Sequence, residues 1–318
     1  MKETIKLAAQ VPDELDGERL DQAAAALFPE YSRSRLQTWI KNGELRVGGE
    51  QRRPRDKVRT GDELVVAAEL VQEVGWQAQA IDLDLVYEDD SILVLNKPAG
   101  LVVHPAAGHA DGTLVNALLA HAPELAQLPR AGIVHRLDME TSGIMVVARS
   151  LSAHHHLVAQ LQARTVKREY CAVCIGAMTG GGTVDAPMGR HPKQRKKMAV
   201  LTAGGKPAIT HYRVTRRFAH HTRIAVSLET GRTHQIRVHM AYRHYPLVGD
   251  PVYGGRPRIP KGASGELIDA LRGFPRQALH AEVLGLIHPQ SGEEMRFECP
   301  LPEDILGLLA ILEREDPV

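Results

Sequence analysis

The segment GIVHRLDMETSGIMVVA, residues 132–148, places a short polar loop directly in front of an apolar strand. The eight residues 135–142 are rich in polar or charged groups, among them His135, Arg136, Asp138, Thr141 and Ser142. An Asp before Thr-Ser-Gly is often a turn residue that accepts backbone N–H bonds. So many polar groups between two apolar strands are more typical of a functional site than of a plain surface loop. On these residues alone, both interpretations of Asp138 stay open.

The chain around this segment has the composition of a folded globular protein. It contains 318 residues, 43% of them hydrophobic and 24% charged, which is enough for two domains with real cores. Its apolar runs are strand-sized and far short of the roughly 18–20 residues that a membrane span needs. The N-terminal residues carry acids and no apolar secretion signal. With three cysteines, too few for a disulfide framework, we expect a cytoplasmic protein without membrane segments.

The hydrophobic patterns divide the chain into four parts. Residues 1–16 form an N-terminal segment, and residues 17–68 predict a compact module of two helices and a tight β-turn, with Ser32 as a candidate N-cap. Residues 69–80 predict a linker, and residues 81–318 a larger domain. In the larger domain, strands joined mostly by hairpins alternate with a few helices. This pattern favours an α+β fold with a mixed, mainly antiparallel sheet flanked by helices.

Charge is segregated along the chain although the net charge is only +1. Residues 17–61 contain ten Lys or Arg against six Asp or Glu, whereas residues 69–90 contain seven acids and no base. Two basic clusters stand out, RRPRDKVR at 52–59 and RHPKQRKK at 190–197. Such clusters are usually solvated faces, but two of them in a near-neutral chain favour binding to a phosphate backbone.

Two further side chains, Tyr170 and Arg237, are candidates for a site that includes Asp138. Tyr170 begins a predicted strand, where a tyrosine is most often a core residue. Arg237 lies in a predicted helix between Ile236 and Val238, so we expect it to be partly buried and to need an anion. Asp138 is a candidate for that anion. A neighbouring guanidinium favours the ionised form of a carboxylate, which suits a nucleophile.

The sixteen histidines do not predict a metal site. His234, His239 and His244 recur at steps of five, which puts them on different faces of a helix, whereas zinc helices use steps of four. Cys171 and Cys174 lie in a predicted strand, where residues three apart point to opposite faces.

The chain resembles the RluA-type pseudouridine synthases that carry an N-terminal S4 RNA-binding domain, over essentially its whole length. The motifs that carry the resemblance are GERLDQ (17–22), SRSRLQTWIKNGELRVGG (32–49), VYEDDSILVLNKPAGLVVHP (86–105), AGIVHRLDMETSGIMVVA (131–148), KREYCAV (167–173), ETGRTHQIRVH (229–239) and YPLVGDPVYGG (245–255). Long motifs that follow one another in the same order are highly specific for one family, so chance agreement is implausible.

The resemblance implies roles for individual residues. Asp138 matches the family's catalytic aspartate, Tyr170 the tyrosine that stacks on the target base, and Arg237 the basic residue paired with the aspartate. Arg136 matches the arginine that fills the space left by a flipped nucleotide, with His135 beside it. The sequence departs from the family pattern next to the aspartate, where a methionine stands in place of an expected lysine.

The resemblance also implies a fold and a partner. It implies a small S4 domain of the α-L-like type followed by a pseudouridine synthase domain. Nothing in the isomerisation needs an oxidant, a metal or a nucleotide, so no cofactor is expected, and nothing in the sequence demands more than a monomer. The family member that is most similar isomerises uridines in the helix 69 hairpin of 23S rRNA, so the implied partner is the large ribosomal subunit precursor. Further RNA contacts are expected from Arg33, Arg35, Lys41, Arg52, Arg53, Lys193, Arg195, Lys196 and Lys197.

Elementary chemistry is consistent with this resemblance. Converting uridine to its C-glycoside requires breaking C1′–N1, rotating the uracil and rejoining it at C5, and the base must first be flipped out of its stack. A carboxylate can act as a nucleophile at the base or the sugar, or as a base at C2′ that leads to a glycal, and both routes stay open. A non-catalytic RNA-binding protein and a base-excising glycosidase are the alternatives from other functional classes.

Overall fold

The computed structural model describes residues 3–29, 31, 33–70, 76–105 and 109–318. They form two compact units, divided between residues 75 and 76. The candidate N-cap Ser32 and residues 71–75 of the predicted linker lie outside the described residues.

The smaller unit packs two helices against a three-stranded antiparallel sheet. Its elements are β1 (Glu3–Gln10), α1 (Leu20–Leu27), α2 (Arg33–Asn42), β2 (Leu45–Val47) and β3 (Glu63–Leu70), with strand order β1-β3-β2. Its core joins both helices to the sheet through buried side chains such as Leu20, Leu36, Ile40 and Leu64. The sequence patterns set residues 1–16 apart, but residues 3–10 pair with β3 along their full length and so belong to this unit.

The larger unit contains eleven described strands and five described α-helices. The strands are β4 (Leu85–Glu88), β5 (Ile92–Lys97), β6 (Ser142–Ala148), β7 (Lys167–Ile175), β8 (Gly182–Asp185), β9 (Met188–Arg190), β10 (Met198–Val200), β11 (Ile209–Arg217), β12 (His221–Leu228), β13 (Leu279–Ile287) and β14 (Glu294–Glu298). The helices are α3 (Leu114–His121), α4 (Leu151–Ala163), α5 (Gln235–Tyr242), α6 (Gly265–Gly273) and α7 (Glu303–Glu315).

Nine of these strands form one sheet in the order β4-β5-β6-β13-β7-β12-β11-β8, with β14 paired to β13. Among the described strand pairs, β6 and β13 are parallel and the others antiparallel, which confirms the predicted mixed, mainly antiparallel sheet. Every residue of β6 is buried, since the strand lies inside the sheet and under α4. No helix among the described parts of the chain is both long and apolar enough to cross a membrane.

The parallel contact between β6 and β13 lies directly after the polar loop of the opening segment. Ser142 pairs with His280, and Gly143 with Ala281. Gly143 has φ +120°, and a Cβ there would lie 2.2 Å from the carbonyl oxygen of Ala281. Because β13 approaches so closely, glycine is required at this position. The end of the loop is thereby fixed against the centre of the sheet.

Candidate active site

Asp138 lies on the loop of residues 135–141, which joins a short 3-10 helix (Pro129–Gly132) to β6. The loop contains the turn that its sequence suggested, since the N–H of Thr141 donates to the carbonyl of Asp138 at 3.0 Å. The Asp138 side chain is 17% exposed. The turn therefore presents a carboxylate that is mostly shielded but still accessible.

Buried cations hold the backbone of this loop in place. The fully buried Lys97 donates from Nζ to the carbonyls of Met139 (2.9 Å), Pro98 (2.7 Å) and Leu101 (2.9 Å). Burial lowers the pKa of Lys97 to about 7. Arg276 donates from Nη1 to the next carbonyl along the loop, that of Glu140, at 3.1 Å. Two consecutive peptide groups after Asp138 are thus fixed by side chains from β5 and from the segment before β13.

Arg276 is itself oriented by a helix. Its Nε and Nη2 donate to the two carboxylate oxygens of Asp304, in the first turn of α7, at 2.6 and 2.9 Å. The neighbouring Gln277 donates from Nε2 to Oγ1 of Thr141 at 3.1 Å. The loop is therefore anchored to α7 and to the entry of β13 as well as to β5.

Arg237 and Asp138 form the ion pair that the sequence suggested, although 99 residues separate them. Nη1 of Arg237 lies 3.1 Å from Oδ2 of Asp138. The Arg237 side chain is 5% exposed, as expected for an arginine among apolar neighbours on α5. Burial by itself lowers the pKa of Arg237, but the carboxylates of Asp250 and Asp138 outweigh it and raise the pKa.

Asp250 is the principal partner of this arginine and was not singled out as a site residue from the sequence. Its carboxylate accepts from Nε and Nη2 of Arg237 at 2.7 and 3.0 Å, and from the N–H groups of Val252 and Tyr253. Burial raises the pKa of Asp250, and these donors reverse the shift and lower it. A bidentate carboxylate fixes the plane of a guanidinium, so Asp250 aims the remaining nitrogen at Asp138.

A histidine and a tyrosine complete the surroundings of Asp138. Nε2 of His234 lies 3.8 Å from Oδ1 of Asp138, and Nδ1 shares a 2.8 Å hydrogen bond with the hydroxyl of Tyr253. His234 precedes α5 with φ 58°, a left-handed conformation that non-glycine residues rarely adopt. Burial lowers the pKa of His234, so the ring is neutral at neutral pH. The Tyr253 ring also stacks on Arg237, whose Cζ lies 5.1 Å from the ring centroid.

Asp138, His234 and Arg237 line a cavity of about 860 Å³. Tyr170, Arg136 and His135 line the same cavity, so the structure brings together the five loop and core residues predicted for the site. Tyr170 is 7% exposed, so it is a core residue as well as a lining residue of the cavity. Burial, with a smaller contribution from Asp138, raises the pKa of its phenol, which therefore keeps its proton at neutral pH. Arg136 is exposed at this cavity.

His135 has a different function from its charged neighbours. Its Nε2 accepts a hydrogen bond from the N–H of Val146 at 3.1 Å, which requires an unprotonated nitrogen. Desolvation and the positive charge of Arg168 lower the pKa of His135 to about 3. The geometry makes it a neutral residue that fastens the loop to β6.

The cavity is lined by more positive than negative groups. Two carboxylates, Asp138 and Glu229, face six arginines, which are Arg130, Arg136, Arg164, Arg168, Arg232 and Arg237. Glu229 is already paired with Arg164 and His211. Arginines in a concave site favour an anionic ligand, since each offers a rigid fork of donors to phosphate.

The cysteines and one of the histidines, His239, belong to the core. His239 is fully buried and hydrogen-bonds through both ring nitrogens, to Thr210 and to the carbonyl of Ala186. Cys171 and Cys174 are buried in β7. Within the described residues, no cluster of three or more His, Cys, Asp or Glu could hold a metal ion.

The basic residues predicted to contact RNA lie outside this cavity. Lys193, Arg195 and Lys196 are exposed in the turn between β9 and β10, whereas Lys197 donates to the carbonyl of Val252 at 3.0 Å. In the smaller unit, Lys41 and Arg53 are exposed and Arg35 is half-buried. Arg52 pairs with Asp62, and Arg33 pairs with the fully buried Asp21. Arg33 and Arg52 are therefore held by carboxylates.

Comparison with known proteins identifies the family. A family model described as RNA pseudouridylate synthase matches residues 91–242, and an S4 domain model matches residues 18–64. Ribosomal large subunit pseudouridine synthase D of Pseudomonas aeruginosa is 62% identical over 315 residues, which cover 99% of this chain and 98% of that protein. The chain belongs to the RNA pseudouridylate synthase family. The protein of the same name from Salmonella typhimurium is 55% identical over 97% of this chain and 95% of its own length.

Solved structures agree with the family assignment. The human RNA pseudouridylate synthase domain containing 4 superposes with a TM-score of 0.57 at 27% identity, covering 74% of this chain and 95% of that one. The protein is thus a pseudouridine synthase in which an N-terminal S4 domain precedes the synthase domain, as the sequence predicted.

Several residues of the site were not predicted from the sequence. His234, Asp250 and Tyr253 stand in motifs that were quoted for the resemblance, ETGRTHQIRVH and YPLVGDPVYGG, but no role was assigned to them. Lys97 stands likewise in the block VYEDDSILVLNKPAGLVVHP. A charged residue at the end of a largely apolar strand was the available signal for Lys97, because burial of an ammonium requires partners.

Proposed function

We propose that this pseudouridine synthase isomerises specific uridines of large-subunit (23S) ribosomal RNA, in the helix 69 hairpin, during maturation of the subunit. The names of its relatives support a large-subunit ribosomal substrate. The observation that carries the proposal is the carboxylate of Asp138, accessible in an arginine-lined cavity and paired with a guanidinium that Asp250 fixes. We further propose a cytoplasmic monomer that acts without a cofactor, since the isomerisation is redox-neutral.

The target uridine enters the cavity as a flipped base. A stacked or paired uridine hides C1′, N1 and C5, so flipping, at a cost of a few kcal/mol, has to precede the chemistry. Arg136 is exposed at the cavity and fills the place that the base leaves. Tyr170 stacks on the uracil, for which its buried position and protonated phenol are suitable.

Asp138 then starts the chemistry. It acts either as a nucleophile at the sugar or the base, or as a base that removes the C2′ proton, and the ion pair with Arg237 suits both roles because it favours the charged carboxylate. The C1′–N1 bond breaks, the uracil rotates, and C1′ bonds to C5. The C5 proton is lost and N1 gains a proton, so the atoms of substrate and product balance.

The S4 domain and the basic turn between β9 and β10 supply affinity for the RNA backbone. We propose that the S4 module of residues 17–68 works together with β1, which completes its sheet. Contacts of Lys and Arg with phosphates are strongly salt-dependent and carry little sequence information. Selection of the uridine therefore rests with the cavity and the shape of the hairpin.

The test is Asp138→Asn, which preserves shape and removes the charge. We expect it to abolish pseudouridine formation in a helix 69 transcript while RNA binding persists, and Asp185→Asn, which changes an exposed carboxylate of the same unit, to leave turnover unchanged. Normal turnover by Asp138→Asn would refute the mechanism. Free uracil among the products would indicate a glycosidase, and binding without any product from the wild-type chain a non-catalytic RNA-binding protein.

A further inference from the structure

An exposed tryptophan lies at the same cavity as the Asp138 ion pair. The chain has two tryptophans. Trp39 is 5% exposed in the core of the smaller unit, where its ring lies 4.8 Å from that of Tyr31. Trp76 is 38% exposed and lines the cavity. A large apolar side chain in that position is not explained by core packing.

Hydrogen bonds fix the segment that carries Trp76. The carbonyl of Gln77 accepts from Nδ2 of Asn116 at 2.7 Å, and the N–H of Gln79 donates to the carbonyl of Asn116 at 3.0 Å. Oε1 of Gln79 accepts from the N–H of Gly112 at 2.7 Å. Asn116 is buried in the first turn of α3, where it also forms a capping box with Thr113. Residues 76–79 were predicted as linker, yet they are fastened to α3.

His104 and Arg130 line the cavity together with Trp76. The ring of His104 lies 6.1 Å from that of Trp76, at an interplanar angle of 48°. Burial, with the charges of Arg130 and Arg136, lowers the pKa of His104 to about 4, so its ring is neutral and suited to stacking. Arg130 has φ 54° and is followed by two more residues with positive φ, Ala131 and Gly132. Strained backbone of this kind concentrates at functional sites, and here it lies where Arg130 lines the cavity.

The cavity is large for one flipped base. Pockets for small molecules span roughly 300–1,000 Å³, and a cavity of about 860 Å³ lies near the upper end of that range. Aromatic faces combined with guanidinium groups are the usual means of holding single-stranded nucleic acid, because bases stack and phosphates pair with the cations.

We propose that Trp76 and His104 form a stacking subsite for an unpaired nucleobase that neighbours the target uridine, with Arg130 contacting the adjoining phosphate. The subsite holds a second base of the loop while the uridine occupies the Asp138 end of the cavity. It therefore selects uridines whose neighbour can also unstack. This inference rests on the proposed function, since it requires RNA in the cavity.

Fluorescence tests the subsite directly. In a full-length chain carrying Trp39→Phe and Asp138→Asn, Trp76 is the sole tryptophan and turnover is blocked. Stacking on a base quenches indole emission, so a helix 69 hairpin should quench Trp76 in a saturable manner. Hairpins with one abasic position on either side of the target identify the stacked base, since one of them should bind with little quenching. Binding measured by anisotropy without quenching by any hairpin would overturn the proposal.

Kinetics give a second test that needs no substitution in the smaller unit. Trp76→Leu should raise KM about tenfold for the intact hairpin and leave it unchanged for the abasic one, whereas Trp76→Phe should stay near wild type. Tyr242→Leu removes an exposed aromatic that does not line the cavity and serves as the control. Equal KM values for Trp76→Leu and wild type on the intact hairpin would overturn the subsite. Because wild type would still form pseudouridine in that case, this failure differs from failure of the proposed function.

Discussion

Arg237 places Nε and Nη2 on the carboxylate of Asp250, at 2.7 and 3.0 Å, and turns Nη1 toward Asp138 at 3.1 Å. The two carboxylates differ in burial, since the side chain of Asp250 is 0% exposed and that of Asp138 is 17% exposed. Asp250 therefore anchors the guanidinium, and Asp138 retains an accessible carboxylate beside it. The two aspartates therefore differ in function, and a substitution of Asp250 should act on Asp138 through Arg237.

Asp250→Asn should impair both turnover and stability. Removing its principal partner leaves the buried Arg237 with only the partly exposed Asp138 as a counter-ion, so we expect the free energy of unfolding to fall by about 3 kcal/mol. The guanidinium is no longer held in one plane, and kcat should fall about 10- to 100-fold. Urea unfolding and turnover on the hairpin measure the two effects. Glu294→Gln is the control, because it breaks an exposed pair with Lys167 and should change neither. Wild-type kcat in Asp250→Asn would contradict the anchoring role.

Lys97→Met should lower kcat more than it changes KM. The substitution leaves the carbonyl oxygens of Pro98, Leu101 and Met139 without their donor, which costs about 1–3 kcal/mol of stability for a carbonyl that stays shielded from water. Lys97 does not line the cavity, so binding of RNA should persist while the Asp138 loop shifts. Steady-state kinetics on the hairpin separate kcat from KM, with Lys167→Met at an exposed site as the control. A rise in KM at unchanged kcat would argue against loop positioning.

Stability of the larger unit should fall as the pH decreases from 7.5 to 5, in part through His280. Burial lowers the pKa of His280 to about 4, and its ring contacts Ser142 and Cys299. Between pH 6.5 and 4 the unfolded chain binds a proton that the folded chain excludes, so the free energy of unfolding decreases with falling pH. At pH 5 this contribution is about 2 kcal/mol.

His280→Gln removes that titration. The difference in unfolding free energy between pH 7.5 and 5 should shrink by about 2 kcal/mol in this variant, as measured by urea unfolding at each pH. His155→Gln changes an exposed histidine and should keep the wild-type difference. An unchanged difference in His280→Gln would show that the ring titrates normally.

Replacing Lys193, Arg195 and Lys196 together by Gln should weaken RNA binding without slowing the chemistry. These exposed cations lie in the turn between β9 and β10, outside the cavity. If all three contact phosphates, the slope of log K against log salt should fall by about 2–3. The rate at saturating RNA should stay near wild type. The same change at three other exposed residues, Arg216, Lys261 and Arg272, is the matched control; equal slopes for both variants would contradict a specific RNA contact by the turn.

The sequence determined the local elements and the type of sheet. Hydrophobic patterns located the two helices of residues 17–68, which are α1 and α2, because such a pattern depends on residues a few positions apart. The capping box at Thr113 and the turn at Asp138 are likewise local. The strand β1 was not predicted. A strand is stabilised by hydrogen bonds to another strand, and the partner of β1, which is β3, lies some 60 residues later in the chain.

The tertiary structure decided which groups surround Asp138. The sequence supplied Asp138, Tyr170 and Arg237, the last through the physical requirement that a buried arginine needs an anion. It could not reveal that Asp250 satisfies most of that requirement, or that Lys97 and Arg276 hold the loop from opposite directions. Such contacts join residues up to 136 positions apart. They depend on how the strands are ordered in the sheet, and local patterns of hydrophobicity and charge do not encode that order.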